Sequence, residues 1–143
     1  SDSGRGGSGT AVDVTGEGDV SATHIKWTTT PLYESIASPI IVGGHVFRLQ
    51  GSGVVKVWKV LDGEETDRQR LEKIGSTWAS PVADADGRIY FASGGRSFVV
   101  QACAQIQVLA VNDLADSNHA SPAVSNGRLF IVGLKNIYCI GGR

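Results

Sequence analysis

Ser-Pro stands three times in this chain, at Ser38-Pro39, Ser80-Pro81 and Ser121-Pro122, with successive serines 42 and then 41 residues apart. After each comes a short apolar run, a glycine-containing turn and a second run with an aromatic residue. The turns are Gly43-Gly44, Asp86-Gly87 and Asn126-Gly127. Such dipeptides supply the positive φ of a tight primed turn, so each copy reads as a β-hairpin. The proline falls at the first residue of its strand, where a missing amide donor does least harm. A period near 40 residues filled with strands and turns constrains the chain to a stacked array of small sheets, each unable to bury its apolar face alone.

The rest of each period fits that frame. Glycine-containing links at 51–53, 94–96 and 133–135 lead to third strands at 54–60, 98–101 and 136–140. Fourth strands are expected near 70–74 and at 106–111. The N-terminal residues repeat the end of this pattern, with a third strand at 10–14 and a fourth at 23–27, after a flexible Gly/Ser-rich lead-in at 1–9. Four antiparallel strands per period describe a propeller blade. A parallel β-helix has shorter repeats, and a sandwich does not repeat its sequence. The predicted fold is all-β, with a partial blade at 10–28, complete blades at 38–75 and 80–114, and a partial blade at 121–143. It forms an open arc or part of a ring.

Closed propellers take about four to eight blades. The arc is therefore expected to be a C-terminal piece that meets the rest of its parent propeller, or that self-associates. Either would cover the apolar faces of the end blades. The net charge of −1 argues against nucleic acid as an electrostatic partner. No apolar run approaches the roughly 18 residues of a membrane-spanning helix.

Motifs for chemistry are sparse. No Ser-His-Asp set or nucleophile elbow can be assembled, and the glycines recur with the blade period rather than in a phosphate-binding pattern. Asp84-Ala85-Asp86-Gly87 has the opening of a calcium loop but not its remainder, and reads as a lengthened hairpin turn. Neither Cys103 nor Cys139 has the close His or Cys companion of a metal site. They form either a disulfide between neighbouring blades or two separate thiols, with Cys139 in the core. Trp27 and Trp58 are expected between adjacent sheets. His24 and His45 face solvent or pack.

One cluster stands out by its place in the repeat. Trp78 and His119 occupy equivalent positions, two residues before Ser80 and Ser121, in the loops that lead into the first strands. Those loops and the links between second and third strands open on one face of the ring, which gathers Trp78, Arg96, Asn118, His119 and Lys135. Aromatic surface, two cations and an imidazole suit a protein or small-molecule ligand. A packing role, with Trp78 and His119 plugging gaps between blades, stands beside that reading.

Three segments carry a family resemblance. Val55-Lys56-Val57-Trp58-Lys59-Val60 followed by Asp62-Gly63-Glu64, then Asn136-Ile137-Tyr138-Cys139-Ile140, and Ile25-Lys26-Trp27 resemble the third strand, turn and fourth-strand Trp of the pyrroloquinoline-quinone-type (PQQ-like) β-propeller repeat. The likeness covers nearly all of the chain beyond residue 9. It implies a non-catalytic scaffold, periplasmic or secreted, with no cofactor of its own. The alternative it implies is a segment of a quinoprotein dehydrogenase, with PQQ and calcium held mostly by missing blades. Those enzymes use an Asp base, acidic or amide calcium ligands and usually a vicinal disulfide. Here the two cysteines are 36 positions apart.

Overall fold

Positive φ at both Gly43 (57°) and Gly44 (77°), and at both Asn126 (49°) and Gly127 (70°), closes the first and third hairpins with the tight primed turns their sequences demand. The computed structural model of the protein describes residues 7–32, 35–51, 53–74 and 78–141. They form thirteen strands in four antiparallel sheets. The first sheet pairs β1 (Gly7–Val12) with β2 (Ile25–Leu32). The second holds β3 (Ile40–Val42), β4 (His45–Leu49), β5 (Val54–Lys59) and β6 (Glu65–Arg70) in sequential order. The third holds β7 (Val82–Ala83), β8 (Arg88–Ser93), β9 (Arg96–Gln101) and β10 (Gln107–Asp113), again in sequence. The last has three strands, β11 (Ala123–Ser125), β12 (Arg128–Val132) and β13 (Ile137–Ile140). These are two complete and two partial propeller blades, with no sheet closed on itself.

Alternation along each strand builds the seams between blades. Phe47, Leu49, Val55 and Val57 on one face of β4 and β5 pack against Ile89, Phe91, Phe98 and Val100 of β8 and β9 in one buried cluster. The opposite face of β8 contributes Ala92 and Tyr90 to a second cluster with Leu129, Ile131, Val124 and Tyr138. The first strands β3, β7 and β11 lie side by side. There the repeated serines join the blades. The Ser38 N–H donates to the Ser80 hydroxyl at 2.9 Å, and the Ser80 N–H donates to the Ser121 hydroxyl at 2.9 Å. Ala37 and Ala79, beside these serines, are buried.

Several expectations are corrected. The fourth strand expected at 70–74 is β6, at Glu65–Arg70. Gly63 has φ 74°, and the Glu64 N–H donates to the Asp62 carboxylate, so the chain reverses at once after β5. Leu71 and Ile74 instead tuck against the core beyond the strand. Cys139, expected inside, is exposed, because it lies on the face of the last sheet that no described sheet covers. Cys103 is half-buried and both thiols are free. The second hairpin has positive φ at Gly87 alone, and Asp84 organises a longer turn by accepting from the Asp86 and Arg88 N–H groups. The prolines immediately precede β3, β7 and β11 rather than opening them. Gly7–Gly9, read as part of the lead-in, belong to β1, while residues 1–6 lie outside the described residues.

Candidate ligand and partner face

The loop from β10 to β11 organises one end of the blades. Asn118 is fully buried; its side-chain oxygen accepts from the Gly95 N–H at 3.1 Å and its backbone oxygen from the Gly94 N–H at 3.0 Å. It therefore clamps the link before β9 and does not face solvent. Asp116 clamps the link before β13. Its carboxylate accepts from the N–H groups of Leu134, Lys135 and Asn136 at 3.1–3.2 Å, and from the Tyr138 hydroxyl at 3.3 Å. Burial alone would raise its pKa, but these donors outweigh that and hold the carboxyl below the usual carboxylate value. Gly133 is required here, since a Cβ would stand 2.2 Å from the Asp116 oxygen.

On this frame the expected residues separate into two groups. Trp78 is 60% exposed and its ring lies 5.8 Å from the His119 imidazole, tilted by 45°. His119 is itself exposed. These two, from neighbouring blades, meet directly. Lys135 is exposed, with its backbone anchored on Asp116. Arg96 is engaged elsewhere: its Nε and Nη2 grip the Asp113 carboxylate at 2.6 and 3.1 Å, and Nη1 donates to the Glu72 carbonyl at 3.2 Å.

The sequence reading missed one member of the row. Ile36 precedes Ser38 as Trp78 precedes Ser80 and His119 precedes Ser121, and it is 74% exposed. The three side chains occupy one repeat position in three blades whose first strands are neighbours. The signal was present in the repeat, but an isolated Ile carries no chemistry of its own. Trp27 and Trp58 take the expected places between sheets. The Trp27 ring lies over Gly63 and its Nε1 donates to the Val60 carbonyl at 2.8 Å, while Trp58 is buried on β5.

No protein-family model matches the sequence, and no curated protein does. Solved structures do. BamB from Moraxella catarrhalis superimposes on 82% of this chain with a TM-score of 0.68 at 15% identity. The quinohemoprotein alcohol dehydrogenase from Comamonas testosteroni matches 66% of it with a TM-score of 0.54 at 18% identity. The chain spans only 36% of the first protein and 16% of the second. Taken with the repeated four-stranded sheets, these likenesses show that the chain carries the fold of PQQ-like β-propeller repeats.

Proposed function

We propose that this segment is a non-catalytic propeller scaffold that receives a protein or small-molecule ligand on the face built around Trp78 and His119. The observation that supports it is a large aromatic ring left 60% exposed and laid against an exposed imidazole of the next blade. Exposed aromatic surface next to polar groups is the usual make-up of a binding hot spot. Ile36 extends the apolar surface on one side, and Lys135 supplies a cation on a rigid link. Asn118 and Asp116 act beneath them as positioning residues, fixing the links that frame the site.

The scaffold reading includes no resident PQQ or calcium. Among the described residues no three His, Cys, Asp or Glu side chains converge on a point where a cation could sit. The two cysteines are free thiols. Titration of the chain with PQQ and calcium is expected to give no cofactor spectrum and no rise in melting temperature. A stabilised, coloured complex would overturn this part of the reading.

The face is tested by Trp78→Ala and His119→Ala. Each is expected to weaken capture of peptide or small-molecule ligands selected on the wild-type chain by tenfold or more, while the melting temperature stays within a few degrees. Variants that instead unfold would assign the pair to packing between blades.

A further inference from the structure

The repeat allows the three seams to be compared position by position. Val46 pairs with Trp58 across β4 and β5, as Ile89 pairs with Val100 and Leu129 with Ile140 in the next two sheets. The neighbouring pair on the same face is Arg48 with Lys56, where the other sheets have Phe91 with Phe98 and Ile131 with Tyr138. Two cations thus stand at the first seam in positions that are apolar core at the others. Lys56 is 2% exposed and pairs with Glu65 at 3.2 Å. Arg48 has no such partner among the described residues, and its Nη1 is buried without a hydrogen bond. The buried Trp58 Nε1 on the adjacent strand is likewise unbonded. Burial draws the Arg48 guanidinium below its ordinary pKa. Buried donors left unpaired are costly, so two on one face call for an acceptor from outside the described residues.

A cleft of about 720 Å³ adjoins both groups, lined also by Ile41 and Val46 of the second sheet and by Thr10 and Val12 of β1. Among the described residues β1 pairs only with β2, so the backbone on its other side forms an open edge. At the other seams the corresponding space is filled by the first two strands of the preceding sheet. Ile40, Val42, Phe47 and Leu49 of β3 and β4 cover Ile89 and Phe91; Val82, Tyr90 and Ala92 of β7 and β8 cover Leu129 and Ile131. A free strand edge on a strand that lines the cleft selects extended backbone over a compact solute. The unpaired guanidinium selects a carboxylate.

We infer that the cleft between the first two sheets seats a two-stranded β-segment that pairs with the free edge of β1 and presents a carboxylate to Arg48. The position for that carboxylate is the one occupied in the next blade by Phe47 or Leu49, whose side chains lie in the same cluster as Phe91. Such a segment would complete a four-stranded first blade and cover Ile41, now 65% exposed.

The test uses the whole 143-residue chain and a synthetic hairpin of about 12 residues with an Asn-Gly turn. The hairpin carries one Glu on its cleft-facing side, and a twin carries Gln in its place. Binding is followed by tryptophan emission and by hydrogen exchange of the β1 amides. The Glu hairpin is expected to bind about tenfold more tightly than the Gln twin and to protect β1. Arg48→Met should erase the difference between the twins, and Arg48→Lys should keep a preference for Glu. Equal binding of the twins by the wild-type chain, or no binding of either, overturns the proposal. So does binding without protection of β1, or displacement of the hairpin by hexanoate at equal concentration, which would mark the cleft as a small-carboxylate site.

Discussion

Ser80 shows how much one side chain in the repeat does. Its hydroxyl accepts from Ser38 while its N–H donates to Ser121. Ser80→Ala leaves the Ser38 N–H without its partner and should cost about 0.5–1 kcal/mol, the lower part of the range for a hydrogen bond at a wet site. Ser38→Ala removes a hydroxyl to which no described residue donates and should cost less; urea unfolding of the two variants checks the order. Asp116 gives a pH signature. Its folded-state pKa is depressed, so its contribution is complete above the ordinary carboxylate value and is lost as pH falls through the lower one. Stability measured from pH 6 downward should therefore fall less steeply in Asp116→Asn than in the wild type. At this scale the sequence was legible where a residue could be matched to its copies, which is how Trp78 and His119 were found. It was not legible where the role depends on what lies across a seam. Arg48 is an ordinary charged residue on an apolar strand until its partners at positions 91 and 131 are laid beside it.

Strands were legible in proportion to how apolar they are. The hairpins at Ile40–Leu49 and Ala123–Val132, with their glycine turns, follow directly from pattern. β6 does not, because Glu65–Arg70 lies at the edge of its sheet and carries no apolar alternation. What holds it is polar: Lys56 and Arg68 on Glu65, and the Asp67 carboxylate accepting from the Ile106 N–H of the next blade at 2.6 Å. The apolar Leu71 and Ile74 drew the expected strand downstream, although their burial serves the seam instead. The seam itself should dominate stability. Phe91→Ala empties a site that is 1% exposed and should cost about 3–5 kcal/mol, read by urea unfolding. Gly133→Ala acts on a link rather than a strand. Its methyl group would collide with the Asp116 carboxylate and free three N–H donors, and the melting temperature should drop by several degrees.

At the scale of the molecule, apolar side chains stand uncovered at two places: Ile41 of the second sheet, in the cleft beside the first, and Val132 and Ile137 on the outer face of the last sheet. Sedimentation velocity is expected to show either self-association or, with an added partner segment, a defined complex. A stable monomer at high concentration that takes up no segment would contradict this. The architecture was legible because it is a sum of like parts. The state of association was not, because it depends on surfaces that a single arc leaves uncovered. The serine hydrogen bonds carry one more consequence. Ser80 offers its hydroxyl to the blade before it and its amide to the blade after it, so the two junctions it joins have the same polarity. Lengthening or shortening the array by a whole period preserves such junctions, whereas an insertion of half a period would carry the acceptor hydroxyl out of reach of the Ser38 or Ser80 amide. The chain can therefore change its number of blades in whole steps only, which makes the Ser-Pro spacing a unit of growth as well as a structural bond.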